Sequence, residues 1–159
     1  MNKRHIISIL IIIIITIVST LWYMPATASR VEWKDYTESI KTAKQKKKNI
    51  FLNFYANWCG YCKKMEADTF SDKAVANYLQ EYFIPIKINT DKQKRLAAAY
   101  GVRGLPLFWF VKPNMERIVN LPGYIPPGRF LNILKFIHTE SYLKMNFDEF
   151  LKNQNKKSK

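Results

Sequence analysis

The sequence predicts an α/β domain in which a central mixed β-sheet carries helices on both faces. Segments with apolar residues at helical spacing alternate along the chain with short apolar runs of strand length. The last two of these runs are separated only by a turn, at residues 112–114, which is typical of a hairpin. Alternation of this kind predicts a mixed sheet covered by helices on both sides.

Four segments are predicted as strands. The first, residues 49–56, is an apolar run of the kind expected for a strand that is buried on both faces. The second, residues 83–89, alternates apolar residues with polar or proline positions. Residues 107–111 and 117–121 are predicted to pair as the hairpin.

Helices are predicted before, between and after these strands. An amphipathic helix opens the domain from Val31, with apolar residues at helical spacing as far as Ala43. Strong helix formers follow the cysteines at residues 63–67, and Ser71 is predicted to cap the next helix. The remaining predictions are a helix over residues 92–100, one that Pro126 and Pro127 open, and a short C-terminal helix over residues 143–151.

The first 28 residues have the order of an export signal. Lys3 and Arg4 precede an almost unbroken apolar stretch over residues 6–23, and the small residues from Ala26 to Ala28 are typical of a cleavage site. A helix of this length could also nearly span a bilayer, so an uncleaved membrane anchor is the alternative. In both cases we expect the rest of the chain to lie outside the cytoplasm, either free in the periplasm or anchored to the membrane and facing the periplasmic or extracellular side.

The chain is strongly basic, with 26 Lys and Arg, 12 Asp and Glu, and a net charge of +14. Without residues 1–28, which contain two cations and no acid, the charge is 14 − 2 = +12. Acidic proteins or anionic lipid suit such a charge, and we expect no nucleic-acid partner for an exported protein. The basic runs at residues 44–48 and 156–159 are interpreted as solvated surface.

Cys59 and Cys62 are the only cysteines, three positions apart. Disulfides persist outside the cytoplasm, but a bridge that closes so short a loop removes little chain entropy. A disulfide between them would therefore stabilise the fold only weakly, and the pair is better suited to act as a redox couple. Zinc needs four ligands, and beyond residue 28 only His138 adds an imidazole, so we expect neither a metal nor another cofactor.

The cysteines lie where the first predicted strand gives way to a helix. Cys59 is expected at the helix N-terminus, where free amides and the helix dipole favour a thiolate, the form that attacks. Cys62 is expected near enough to form the disulfide but more buried. Cys59 is thus the candidate nucleophile and Cys62 the candidate resolving thiol.

Two segments resemble the thioredoxin superfamily. IFLNFYANWCGYC at residues 50–62 is similar to its active-site strand and turn, and YGVRGLP at residues 100–106 is similar to the second motif, which carries a cis-proline. The resemblance implies a thioredoxin fold over residues 29–140, between the export segment and a helical extension with a basic tail over residues 141–159. It also implies thiol–disulfide oxidoreductase chemistry.

Within the superfamily, CKKME followed by TFSD, at residues 62–66 and 69–72, resembles the C-terminal thioredoxin-like domain of the membrane electron conductor DsbD. The pair Gly60-Tyr61 is instead similar to the isomerase DsbC. No dimerisation domain is evident. We therefore give the likeness of the flanking segments to DsbD more weight than the likeness of Gly60-Tyr61 to DsbC, and we expect a monomer.

The second motif implies a cis bond before Pro106. Proline tolerates a cis bond at modest cost and has no N–H, so the backbone of Leu105 can lie beside Cys59 and pair with a substrate strand. A trans proline that merely opens a strand is the alternative. Trp58 and Tyr61 flank the nucleophile and are candidates for apolar contact with substrate.

Two residues depart from the family's common pattern. Asn53 stands where thioredoxins usually carry a buried Asp, so the usual proton acceptor for the resolving thiol is missing. Glu66, four residues after Cys62, is the candidate substitute, with an ordinary solvated carboxylate as the alternative. Leu107 replaces the Thr often found after the cis-proline, which leaves the redox potential open.

The resemblance implies a protein-disulfide reductase that works outside the cytoplasm through Cys59 and Cys62, with a DsbD-type membrane protein as electron donor. Its substrates would be protein thiols and disulfides. An isomerase or an oxidase would use the same chemistry in another direction. A non-catalytic thioredoxin-fold binding or chaperone module, with a merely structural disulfide, is the alternative from another class.

Trp109 is expected in the core, and His138 in a packing or surface role.

Overall fold

The computed structural model of the protein describes residues 30–157. The predicted signal or anchor, residues 1–28, lies outside the described residues. Among the helices between residues 30 and 157, none has both the length and the apolar character needed to cross a membrane.

Four strands form one mixed sheet in the order β2-β1-β3-β4. They are β1 (Asn49–Tyr55), β2 (Phe83–Asn89), β3 (Leu107–Val111) and β4 (Arg117–Pro122). β1 pairs in parallel with β2 and antiparallel with β3, and β3 pairs antiparallel with β4. The predicted fold class is confirmed, and each strand begins at its predicted residue.

Helices lie on both faces of this sheet. They are α1 (Tyr36–Lys46), α2 (Gly60–Lys64), α3 (Lys73–Tyr82), α4 (Lys94–Ala99), α5 (Pro127–His138) and α6 (Phe147–Lys157). A π-helical turn, Met65–Thr69, continues α2, and a 3₁₀ turn, Ser141–Leu143, precedes α6. The C-terminal helix therefore begins later and is longer than the sequence predicts.

The start of α1 and the cap of α3 also differ from the prediction. Helix α1 begins at Tyr36 rather than at Val31, because the main-chain N–H of Lys34 donates to the carbonyl of Pro85 at 2.9 Å and holds this segment against β2. The Asp35 side chain then caps α1. Helix α3 is capped by Asp72 rather than Ser71, since the Asp72 carboxylate accepts from the N–H of Val75 at 3.0 Å.

Strand β1 is covered on both faces by separate apolar clusters. Phe51 points into the cluster beneath α3 and α5, whereas its neighbours Ile50 and Leu52 point into the cluster beneath α1 and α4. Four aromatic rings lie with their centroids 5.2–6.1 Å from that of Phe51. They are those of Phe70, Phe108, Phe110 and Phe130. Packing on both faces fixes the carboxyl end of β1, where the cysteines follow.

The C-terminal segment packs on the outside of α5. The ring of Phe136 lies 5.4 Å from that of Phe147 and 5.2 Å from that of Phe150. Trp109, predicted in the core, is only half-buried, and its indole N–H donates to the carbonyl of Tyr100 at 3.1 Å. His138 has the predicted packing role, with its ring 4.0 Å from that of Tyr82.

Candidate active site

The two cysteines form a disulfide at the junction of β1 and α2, with their Cα atoms 5.3 Å apart. The main-chain N–H of Cys59 donates to the carbonyl of Ala56 at 3.2 Å, which turns the chain out of the strand. Cys59 is the N-cap residue of α2, and its Sγ accepts from the main-chain N–H of Cys62 at 3.1 Å. The predicted location at a helix N-terminus is confirmed.

The two sulfur-bearing residues are equally covered. Cys59 is 5% exposed and Cys62 is 7% exposed, so the prediction that Cys62 is the more buried member is wrong in the disulfide form. The physical reason is that both cysteines belong to one apolar cluster with Ala56, against which the partly buried Leu105 packs. What distinguishes the two sulfurs is the helix, because an amide of α2 points at the sulfur of Cys59.

The loop before β3 covers the disulfide. The peptide bond between Leu105 and Pro106 is cis, as the resemblance implies. The carbonyl of Pro106 accepts from the N–H of Gly123 at 2.8 Å, which ties this loop to the residue after β4. Within residues 30–157, no hydrogen bond occupies the backbone N–H or carbonyl of Leu105. Leu107, which follows Pro106, is buried in the cluster beneath α1 and α4.

On one side of the disulfide lies a cleft of about 350 Å³, which we call the Cys62 cleft. Asn53, Cys62, Glu66 and Lys87 are among its lining residues. Asn53 is 3% exposed and lies opposite Lys87 in the register of β1 and β2. Glu66 thus shares the cleft with Cys62, as its spacing predicts, although it belongs to the π-helical turn.

Lys87 is a residue of the cleft that the sequence analysis missed. Its ammonium forms an ion pair with Glu66 and lies over the ring of Tyr55, 4.6 Å from the centroid. The side chains of Lys87 and Glu66 are 24% and 39% exposed. The sequence does contain a signal for it, because Lys87 is the one charged residue of strand β2.

A second ion pair joins the end of α2 to the π-helical turn that follows it. Lys64 contacts the Asp68 carboxylate at 2.5 Å, and the Tyr124 hydroxyl donates to that carboxylate at 2.9 Å. The hydrogen bond from Lys64, with that from Tyr124, holds the pKa of Asp68 below its usual value. These contacts join the π-helical turn to the segment between β4 and α5.

On the other side of the disulfide lies the cis-proline groove, also about 350 Å³, whose lining includes Trp58, Lys94, Arg103 and Leu105. Trp58 is 71% exposed, and its indole N–H donates to the Asp91 carboxylate at 3.1 Å. Tyr61, the other predicted substrate contact, is 65% exposed. The structure thus brings Leu105 against the cysteines and leaves Trp58 and Tyr61 on the surface around them.

Asp91 is a second residue that the sequence analysis missed. Buried Asn89, at the end of β2, accepts from the N–H of Asp91 at 2.9 Å and so shapes the turn that carries the carboxylate to Trp58. Asn and Asp side chains commonly organise turns in this way. Nothing in the local sequence joins this turn to Trp58, which lies 33 positions earlier.

A thioredoxin-like domain family model matches residues 36–138. The chain is 33% identical over 109 residues to the thiol:disulfide interchange protein DsbD of Vibrio vulnificus, covering 65% of this chain and 18% of DsbD. It is 37% identical over 89 residues to thioredoxin-1 of Drosophila melanogaster, covering 56% of this chain and 78% of that thioredoxin. The chain therefore spans under a fifth of the DsbD relative and most of the thioredoxin.

The fold is likewise similar to solved structures. The reduced C-terminal domain of Neisseria meningitidis DsbD superposes with a TM-score of 0.52 at 28% identity, covering 62% of this chain and 90% of that domain. A thioredoxin from Thermus thermophilus superposes with a TM-score of 0.62 at 27% identity, covering 67% of this chain and 86% of that structure. With its cysteine pair in place, the chain belongs to the thioredoxin-like family of thiol–disulfide oxidoreductases.

Proposed function

We propose that this protein reduces disulfides of other proteins outside the cytoplasm through a Cys59–Cys62 dithiol/disulfide cycle. The observation that carries the proposal is the hydrogen bond from the α2 amide of Cys62 to the sulfur of Cys59. In the reduced protein, this amide and the positive end of the helix dipole favour a thiolate on Cys59. Since the two cysteines are equally covered, the assignment of Cys59 as nucleophile rests on this amide rather than on exposure.

The proposed cycle starts from the dithiol. The Cys59 thiolate attacks one sulfur of a substrate disulfide, the substrate S–S bond breaks, and the leaving substrate sulfur takes up a proton. Cys62 then loses its proton and attacks Cys59, which breaks the mixed disulfide and releases the second substrate thiol. Two electrons and two protons pass to the substrate, and the protein is left with the Cys59–Cys62 disulfide.

We assign the proton from Cys62 to Glu66. Glu66 lines the same cleft as Cys62, and Asn53, buried in the position of the usual family carboxylate, has no titratable proton. The ion pair with Lys87 orients the carboxylate towards the sheet rather than into bulk solvent. The alternative is that Glu66 is an ordinary surface carboxylate.

Substrate is proposed to bind across the cis-proline loop. The unpaired backbone N–H and carbonyl of Leu105 can extend a substrate strand by main-chain hydrogen bonds, next to the cis bond at Pro106. The exposed rings of Trp58 and Tyr61 offer apolar contact on either side of the nucleophile. This arrangement supports a partner that is an extended protein segment rather than a small molecule.

The direction of electron flow and the donor come from the likeness to DsbD. We propose that a DsbD-type membrane protein re-reduces the Cys59–Cys62 disulfide, and that residues 1–28 deliver the domain, as a monomer, to the periplasmic or outer side. Reduction potentials of the family span about −270 mV for thioredoxin to about −120 mV for DsbA. We expect a value near the reducing end, and equilibration with glutathione measures it. A value close to that of DsbA would exclude the reductase role.

Trapping tests the cycle itself. In Cys62→Ala the cycle stalls after the first attack, so partner proteins should accumulate as covalent adducts of Cys59 in cells of the native host. Electrophoresis without reductant detects them, and the double variant Cys59→Ala, Cys62→Ala is the matched control. If Cys59→Ala trapped partners and Cys62→Ala did not, the roles would be reversed. If neither trapped any partner, a non-catalytic binding role would be the better account.

A further inference from the structure

The residues that line the cis-proline groove carry a net positive charge. Of its lining residues two are cationic, Lys94 and Arg103, and none is acidic. Both side chains are exposed, and neither forms an ion pair within residues 30–157. Because no contact within the described part of the chain uses these charges, they are available to a partner.

The carboxylate nearest in sequence offsets this positive charge only in part. Residues 90–105 contain four cations and one acid, a net charge of 4 − 1 = +3. The single acid, Asp91, accepts the indole N–H of Trp58 with both oxygens, at 3.1 and 3.4 Å. The neutral indole does not neutralise this carboxylate, but Asp91 does not line the groove and offsets only one of the four cations.

The other side of the disulfide has a different charge arrangement. In the Cys62 cleft Lys87 forms an ion pair with Glu66, and Lys64 forms another with Asp68 in the same helical segment. Of the three charged residues that line the cleft, only Lys63 has no ion pair within residues 30–157. Paired charges of this kind attract a charged partner weakly, whereas unpaired charges of one sign beside a concave surface raise the association rate of an oppositely charged one. The charged residues that line the cleft sum to 2 − 1 = +1 and those that line the groove sum to +2, so selection by charge is expected mainly on the groove side.

We propose that the cis-proline groove selects partner proteins whose reactive cysteine is flanked by acidic residues. The inference rests on the proposed function and names its substrate class. Leu105 belongs to the groove and also packs on the disulfide, so a segment that reaches Cys59 along Leu105 passes the groove. Glutamate or aspartate beside the substrate cysteine would then lie within the range of about 8–10 Å over which charges act at moderate salt.

Three synthetic disulfide peptides, identical except for Glu, Ser or Lys on both sides of the cysteines, test the proposal. The full-length chain, purified in nonionic detergent and reduced, is mixed with each peptide, and the rate constant of peptide reduction is measured. At low ionic strength we expect the Glu peptide to react about tenfold faster than the Ser peptide and the Lys peptide more slowly. High salt should bring the three rate constants together.

Charge reversal locates the effect. The double variant Lys94→Glu, Arg103→Glu should invert the order of the peptides, and Lys94→Glu alone, which leaves the cis-proline loop untouched, should reduce the Glu-to-Ser ratio several-fold. Lys152→Glu is the matched control, because Lys152 is exposed on α6, which packs on α5 on the opposite face of the sheet. It should keep the ratio of the wild type.

The outcomes separate this inference from the proposed function. If no peptide is reduced, the reductase proposal fails. If the Ser peptide is reduced and all three react at equal rates, the reductase proposal stands and charge selection is wrong. If the rates are equal but micelles doped with phosphatidylglycerol slow the wild type and not the double variant, the groove binds anionic lipid instead, and the inference is overturned.

Discussion

The charged residues that line the Cys62 cleft include an ion pair, whereas those that line the cis-proline groove form none within residues 30–157. Lys87 and Glu66 meet across the strand–helix boundary beside Asn53, and their contact is part of the fold. Lys94 and Arg103 form no ion pair within the described residues, and no acid is among the residues that line their groove. We therefore propose that the cleft serves proton transfer and stability and that the groove serves partner recognition.

The largest expected effect concerns the cleft. Glu66→Gln should slow resolution of the mixed disulfide by about tenfold or more, because it removes the proton acceptor, while formation of the mixed disulfide keeps its rate. Adding Asn53→Asp should partly restore resolution. Quenched-flow alkylation of the two steps measures both rates, and Glu38→Gln, an exposed glutamate of α1, is the control. Equal resolution rates for Glu66→Gln and the wild type between pH 6 and 9 would leave Glu66 as a surface carboxylate.

The second prediction compares the two lysines directly. Lys87→Met should lower the free energy of unfolding by about 1–2 kcal/mol, since it removes a partly exposed ion pair and the cation–π contact with Tyr55. Lys94→Met should change it by under about 0.5 kcal/mol, because an exposed lysine without an ion pair contributes little. Urea unfolding of the oxidised protein measures both. If Lys94→Met lowered the free energy of unfolding as much as Lys87→Met, ion pairing would not distinguish the lysine of the cleft from that of the groove.

The third prediction concerns the exposed rings. Trp58→Ala or Tyr61→Ala should lower kcat/KM for the Ser peptide about fivefold, which corresponds to the loss of ~1 kcal/mol of contact with substrate. The free energy of unfolding should change little, because both side chains are largely exposed. Trp58→Phe keeps a ring but loses the bond to Asp91, so it separates ring contact from positioning. An unchanged kcat/KM in both alanine variants would remove these rings from the binding surface.

The smallest effect is expected at His138, which lines neither the cleft nor the groove. Burial lowers the pKa of His138 below its usual value, with opposing effects of nearby Glu81 and Lys48. The folded state thus disfavours the protonated ring, so its stabilising contribution is present above pH 6.5 and is lost as the pH falls below it. Relative to His138→Gln, the wild type should lose under about 1 kcal/mol between pH 7.5 and 5.

Urea unfolding at each pH measures this loss, with the peptide reduction rate as a second readout that should be equal in the wild type and His138→Gln. A stability difference between the two proteins that is constant with pH would show that the titration of His138 does not contribute. A changed reduction rate would mean that the packing of α5 on α3 affects the reactivity of the cysteine pair.

Elements with a strong local signal were predicted well. The four strands begin where their apolar runs begin, and the cysteines lie at the strand–helix junction that their position after β1 implies. Helix starts were predicted less well. At Val31 the apolar spacing is compatible with a helix, but main-chain pairing of Lys34 with Pro85 keeps this segment extended. Local spacing contains no information about a partner strand that is 51 positions away.

The order of secondary structure, the cysteine pair beside a strand and the proline before β3 are properties of the sequence alone, because each depends on short-range chemistry: apolar spacing, thiol positions and the special backbone of proline. The equal burial of the two cysteines, the ion pair of Lys87 with Glu66 and the bond from Trp58 to Asp91 were decided only by the tertiary structure. Each of these requires segments 21 or more positions apart to meet across the sheet or between loops. The unpaired charge of the cis-proline groove belongs to the same class, since it depends on which acids the fold brings near Lys94 and Arg103.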